Sequence, residues 1–246
     1  QQEDNKEYNA SFFKVESKPT CTSEIDTDND GVTDDKDLCP DTSEGESVDA
    51  NGCSDSQKDT DGDGVTDNQD ICPDTPAGTD VNADGCSVIY LAENGITIKA
   101  KDVAQVGLLY SFNGKSYRIV DNTNIKSYLN DTAPSEFEYL VTTKVTDMYG
   151  LFYLNDAIDI NISSWDVSNV ESMEYLFDKA ENFNGDISSW DVSNVNNMRG
   201  MFKRAYKFNQ DLSGWDVSSV TVCSDFKLDA NSFVLSIPNF TFCNPN

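Results

Sequence analysis

The sequence predicts a multidomain chain built in two unlike ways: a front module with little regular secondary structure, then an α/β repeat solenoid that opens on a β-hairpin cap. Three observations carry this expectation. Residues 22–86 hold 17 Asp and 3 Glu against Lys36 and Lys58, so most of the net charge of −27 sits in the front third of the chain. The same stretch has no Phe, Tyr or Trp and carries one spacing of aspartates twice. From residue 148 onward, tryptophan, methionine and phenylalanine recur every 25 residues.

Composition narrows the function classes. With 44 acidic and 17 basic residues among 246, nucleic acid and anionic membranes are poor partners and bound cations are good ones. The absence of histidine excludes Ser-His-Asp and Cys-His nucleophile systems and His-containing zinc or haem sites. No apolar run approaches the roughly 18 residues of a membrane span, and the start at Gln1 shows neither a basic nor an apolar leader region, so a mature or excised soluble piece is expected.

In the front segment the apolar residues are few and isolated (Ile25, Val32, Leu38, Val48, Val65, Ile71, Val81). Their burial cannot offset roughly 1–2 kcal/mol per residue of backbone ordering, and an acidic linker would be the plain reading. The spacing argues otherwise. Asp26, Asp28, Asp30, Gly31, Asp34 and Asp37 occupy positions 1, 3, 5, 6, 9 and 12 of a twelve-residue loop, and Asp59, Asp61, Asp63, Gly64, Asp67 and Asp70 repeat it 33 residues later. Alternate residues of a tight loop turn carboxylates inward, a glycine at position 6 permits the reversal, and position 7 (Val32, Val65) offers its carbonyl. Oxygen donors in this number suit Ca2+ better than Mg2+, which demands stricter octahedral geometry. Helix-loop-helix sites are not expected, because no amphipathic helix flanks the loops and position 12 is Asp.

Each loop runs into Cys-Pro (Asp37-Leu38-Cys39-Pro40, Asp70-Ile71-Cys72-Pro73) and then a matched segment, CPDTSEGESVDANGC and CPDTPAGTDVNADGC. On these motifs residues 21–87 resemble thrombospondin type 3 repeats, in which the chain wraps a row of calcium ions with almost no regular structure. By that analogy Asp55 and Gln57, and the run Asp80, Asn82, Asp84, supply a further ion or complete a neighbouring shell, although Val88 stands where the last run needs a carboxylate. Equal spacing of 14 favours bridges Cys39–Cys53 and Cys72–Cys86; the alternative pairs Cys21 with Cys39 and Cys53 with Cys72. Such bridges contribute on the order of 3 kcal/mol each and place the protein outside the cytoplasm. Cys223 and Cys243 are expected to close the last turn of the second part, which leaves Cys21 over.

In that second part Trp165, Trp190 and Trp215 are 25 apart, as are Met148, Met173 and Met198 with Cys223 next, and Phe152, Phe177 and Phe202. A unit so short cannot bury its own apolar face, so copies must stack and share a core. Val170, Met173, Phe177 and Ala180 have the spacing of a short helix face, and Ser168 with Glu171 has the form of a capping box. Phe183–Val192 reads as β-prone. One strand and one short helix per unit is the expectation, a leucine-rich-repeat-like solenoid. The unit itself, FNxDISSWDVSNV with its following Met, resembles the repeats of BspA-like bacterial surface proteins, over residues 88–246; that resemblance implies adhesion at a cell surface. Ahead of the units, a strand near Ile96 and a hairpin from Leu108 to Val120 with Asn113-Gly114 at its turn, then a helix near Asn122 to Leu129, form the cap. The expected divisions are 1–20 linker, 21–87 thrombospondin type 3 repeats, 88–147 cap, 148–222 three units, and 223–246 capping segment.

Aromatic and acidic ladders tempt a glycosidase reading. Residues that recur at the same place in every unit are more simply core (Trp165, Trp190, Trp215) or turn formers (Asp166, Asp191, Asp216), so the chain is expected not to be an enzyme. Contact residues are sought among those that vary, such as Tyr153, Tyr175 and Lys179, and Arg199, Lys203, Arg204 and Lys207 form a basic cluster on an acidic molecule. The expectation is an extracellular or bacterial cell-surface calcium-binding protein whose stalk presents the solenoid to a protein or glycan ligand. The other reading is an anchoring module that docks onto a partner subunit of a surface complex. Neither involves nucleic acid or a membrane span.

Overall fold

The computed structural model describes residues 25–155 and 160–246, so the 1–20 linker and Cys21 lie outside the described residues. The chain divides into two compact units, one ending at Lys58 and one beginning at Asp59. Most of it is irregular, with few strands and helices among the described residues.

In the first unit the buried residues include Thr42, Cys53 and Ser54, while Ile25 and Leu38 are exposed, so no apolar core forms among its described residues. The Cys39–Cys53 bridge and the Val48–Ser54 antiparallel bridge pin the tail segment. Thr42 replaces packing with hydrogen bonds: its hydroxyl reaches the Gly52 carbonyl (3.0 Å) and Gln57 Oε1 (2.7 Å). The second unit begins with the matching arrangement, Cys72–Cys86, Val81 bridged to Ser87 and Thr75 Oγ1 on the Gly85 carbonyl at 2.8 Å.

Five strands follow: β1 (Ile89–Leu91), β2 (Ile98–Ala100), β3 (Leu109–Phe112), β4 (Lys115–Asp121) and β5 (Leu140–Lys144). β1 and β2 pair antiparallel, β3 and β4 form a hairpin, and β5 joins β4 in parallel. The hairpin turns on Asn113 and Gly114, whose φ values of 49° and 71° are both in the left-handed region that a two-residue turn of this twist requires. The helix α1 (Ile125–Asp131) starts three residues later than the sequence suggests and is followed by a 3₁₀ segment, Pro134–Tyr139. Ile89, Ile119 and Val141 are fully buried between these strands.

Beyond β5 the 25-residue units lie one upon another. Parallel bridges run Asp147–Ser172–Asn197–Val222. From there alternate N–H groups donate to the next coil: Met148 to Ser172, Gly150 to Glu174, Phe152 to Leu176 and Leu154 to Asp178, all at 2.9–3.1 Å. Of the intervening N–H groups, Leu151 and Tyr153 donate three residues back, to Met148 and Gly150, and Tyr149 donates to the Asp147 carboxylate. The expected helix is therefore replaced by a ladder of turns. Val170, Met173, Phe177 and Ala180 are all buried, but half the backbone donors of this segment serve the neighbouring coil, which an i to i−4 helix would forbid. The turns place Tyr175 and Lys179 at φ 56° and 59°. The capping box does not form either: Glu171 N–H donates to Thr146 O and Ser168 Oγ to Asp166. Phe183–Val192 holds Asp-x-Ser turns rather than a strand, with Ser188 N–H on Asp186 at 3.0 Å. The strand-and-helix alternation of leucine-rich repeats is not shown.

The shared core is aromatic. Phe152, Phe177 and Phe202 stack at 5.5 Å steps with nearly parallel rings, and Phe183 and Phe208 stack beside them. The indole N–H of Trp165, Trp190 and Trp215 donates to Phe137, Ile162 and Ile187 carbonyls respectively, at 2.8–3.2 Å.

Candidate metal centres

Local backbone chemistry shapes each aspartate loop. Asp26 accepts from the N–H of Asn29 (2.9 Å) and Gly31 (3.1 Å), and Asp59 from Gly62 (2.9 Å) and Gly64 (2.8 Å), which bends the chain into a tight ring. Gly31 and Gly64 have φ of 98° and 95°, so a side chain there would be strained. As a result the carboxylates of Asp26, Asp28 and Asp30 converge within 4.8 Å of one another, and those of Asp59, Asp61 and Asp63 do the same.

Two observations test whether a cation fits. Asp30 Oδ2 and Asp63 Oδ2, at the same place in the two loops, are buried and lack a hydrogen-bond partner. Burial pushes the Asp63 carboxyl above its ordinary range and the charges of Asp61, Asp70 and Asp59 push the same way, against the Val65 N–H. Asp28 moves the other way, chiefly because the Thr42 N–H donates to it. Crowded carboxylates with orphaned inward oxygens and no nitrogen or sulfur donors fit a hard divalent ion.

The position-12 residues approach from the side. Asp37 would overlap a Cβ placed on Gly52, from which Asp30 Oδ2 would lie 3.0 Å away; Asp70 and Asp63 meet Gly85 alike. Asp34 and Asp67 are drawn elsewhere, each accepting from a threonine N–H at 2.8 Å and from that residue's hydroxyl, Thr27 and Thr60. Of the outlying candidates, Asp55 pairs with Lys58 at 3.5 Å. Gln57 brackets Thr42 and, through Nε2, the Cys39 carbonyl at 3.1 Å. Asp80 accepts from Ser111 N–H of β3 at 2.5 Å, and Asn82 caps the turn to Asp84 and Cys86 at 3.1 and 3.0 Å. Of these, Gln57 meets the first triad through Thr42, whose N–H donates to Asp28. Residue reading missed Thr42 and Thr75, whose N–H groups donate to Asp28 and Asp61 at 2.8 and 2.6 Å, and Gly52 and Gly85. The signal was there in the matched CPDT and NGC/DGC segments.

The basic cluster divides. Arg199 lies 3.9 Å from Glu174, Lys203 3.6 Å from Asp225, and Arg204 3.4 Å from Asp229; Lys207 N–H donates to the Glu181 carbonyl. Lys203 and Arg204 also line a cleft of about 570 Å³ with Tyr149, Tyr153, Tyr175 and Asp178.

Residues 20–47 and 49–80 match the thrombospondin type 3 repeat. The two Asp triads and both Cys-Pro junctions lie inside those repeats. A second family model, described as a Mycoplasma protein of unknown function, DUF285, matches residues 123–240, which span α1 and the stacked coils. No curated protein and no solved structure matches the chain. Among the described residues no helix is long and apolar enough to cross a membrane.

Proposed function

We propose that the protein is an extracellular, calcium-binding surface protein, a non-catalytic adhesin of BspA-like kind. In it the thrombospondin type 3 segment is a calcium-stiffened stalk and the stacked coils are a solenoid that presents a protein or glycan contact face. The observation that carries the reading is the pair of equivalent Asp triads, each with an orphaned inward oxygen. Asp26, Asp28, Asp30, Asp37 and the Val32 carbonyl would hold one ion, and Asp59, Asp61, Asp63, Asp70 and the Val65 carbonyl the other, with Asp34 and Asp67 reaching them through water. A resident Ca2+ supplies charge compensation and cross-linking, not chemistry. The three disulfides and the match to repeats of calcium-binding type support an oxidising compartment with ample calcium.

Calorimetric titration of chelator-stripped protein with CaCl2 tests this. Two or more ions per chain are expected, with Asp30→Asn and Asp63→Asn each weakening one site at least tenfold. Stripped protein that takes up no calcium overturns the proposal.

A further inference from the structure

The ladder of turns puts its variable side chains on one outer face. Position by position, successive coils carry Tyr153, Asp178, Lys203 and Leu228, and beside them Leu154, Lys179, Arg204 and Asp229. Nothing in the stacking of coils asks for a carboxylate at 178, since its equivalents are an aromatic, a cation and an aliphatic residue. Asp178 is nevertheless only 6% exposed and its Oδ1 is buried without a hydrogen-bond partner, in the lining of the cleft of about 570 Å³. Leaving such an oxygen unmatched is costly, and a site of about 300–1,000 Å³ with a few convergent polar groups is the ordinary form of a small-ligand site.

The surroundings limit what could satisfy it. Lys126, Lys179, Lys203 and Arg204 line the same cleft, so a cationic donor is repelled and the incoming donor must be a hydroxyl or an amide. Lys203 and Arg204 are partly offset by Asp225 and Asp229 at 3.6 and 3.4 Å, so Lys126 and Lys179 carry most of the attraction for an anionic group, a local exception on a molecule of net charge −27. Tyr149 and Tyr153 are about half exposed, with Tyr175 edge-on to Tyr149 at 6.1 Å. Lys179 Nζ, 5.5 Å from the Tyr153 ring centre, holds that ring in place. A peptide could bring a backbone N–H or a carboxylate, but its flat apolar faces, on Pro or aromatic side chains, belong to other residues than those that carry a side-chain carboxylate. A sugar ring with a carboxylate brings hydroxyl donors, an anionic group and an apolar C–H face within a few ångströms of each other.

We infer that this cleft binds an acidic oligosaccharide: a ring hydroxyl donates to Asp178, the sugar carboxylate faces the cationic rim, and Tyr149 and Tyr153 stack on the ring. The inference rests on the proposed role of the coils as a contact face and names its ligand class.

The test is calorimetric titration of the full calcium-loaded chain with trigalacturonate, with neutral galactotriose, and with an oligoglutamate peptide. Trigalacturonate is expected to saturate one site, with galactotriose at least tenfold weaker and oligoglutamate weaker still. Tyr153→Ala and Lys179→Ala should each cost at least tenfold, Asp178→Asn severalfold, and Lys101→Ala, outside the cleft, nothing; thermal melts confirm that each variant folds. Absence of saturable binding, indifference to Tyr153→Ala and Lys179→Ala, or preference for the peptide overturns the inference. Stripped protein that takes up no calcium yet still binds the sugar would overturn the calcium reading alone, and calcium-loaded protein that ignores the sugar would overturn the cleft alone.

Discussion

Asp186, Asp211 and Asp216 each begin an Asp-x-Ser turn and hold their carboxyls below the ordinary value of 3.8: the Ser188 hydroxyl and then its N–H act on Asp186, the Ser213 N–H and then its hydroxyl on Asp211, and the Ser218 hydroxyl and then its N–H on Asp216. A depressed folded-state pKa means that the unfolded chain binds more protons near pH 4, so these turns stabilise above that pH and the contribution is lost as pH falls through the folded values. Asp178 has the opposite sign. Burial raises its pKa against the pull of Lys203, Lys179 and Arg204, so its cost is absent at low pH and grows as pH rises past 3.8. Melting temperature followed from pH 6 to 3 should therefore fall below about pH 4, and Ser188→Ala with Ser213→Ala and Ser218→Ala should flatten that fall; an unchanged slope contradicts the turn assignment. Glycine acts at the same scale in the front segment. Gly52→Ala drives a methyl into the Asp37 carboxylate at a φ of 78°, so it should cost about 1 kcal/mol or more in stability and weaken one of the two proposed calcium sites while sparing the other, read by the same titration. Much of this was legible: the carboxylate spacing names both triads outright. Gly52 and Thr42 were not legible as site residues, because their part depends on a tail segment folding back over the loop, which no local pattern expresses.

At the scale of one coil, stacking decides the backbone. The periodicity of Val170, Met173, Phe177 and Ala180 reported burial correctly, since all four are in the core. It could not distinguish a helix from a turn ladder, because both bury residues three and four apart, and only the partner of each N–H separates them. The neighbouring coil supplies that partner, and a sequence read one unit at a time does not contain it. Two substitutions probe the arrangement. In Gly200→Ala the added carbon would meet the Tyr175 ring at 2.6 Å with φ at 57°, so a loss of about 1 kcal/mol or more is expected in urea unfolding; a gain would mean the turn is not left-handed there. Trp190→Phe keeps one aromatic ring but removes the pyrrole part of the indole, which strands the Ile162 carbonyl, now 3.1 Å from the indole nitrogen, and leaves a small void at a buried site; it should cost about 1–3 kcal/mol or more, whereas a surface tryptophan would cost almost nothing.

For the molecule as a whole, the front segment and the coils depend on different forces. On the proposed reading, calcium at a hundredfold excess over its dissociation constant would stabilise the front segment by roughly 2.7 kcal/mol per ion, which its sparse apolar residues could not replace. Chelation should open residues 25–86 to protease while the near-ultraviolet signal of Trp165, Trp190 and Trp215 persists; uniform resistance would show that the carboxylate loops hold themselves. The aromatic column has a different kind of limit. Where Phe152, Phe177 and Phe202 offer flat faces, the next coil has Lys227, and Phe226 and Phe233 meet Phe202 nearly at right angles, 81° and 83°. Phe240 leans on Phe226, the Phe226 N–H turns to Pro245, and Cys223–Cys243 fastens the cover. A column of identical layers is a template on which a like column could add, molecule upon molecule; rotated rings and a strapped tail lay an unlike surface over this face of it.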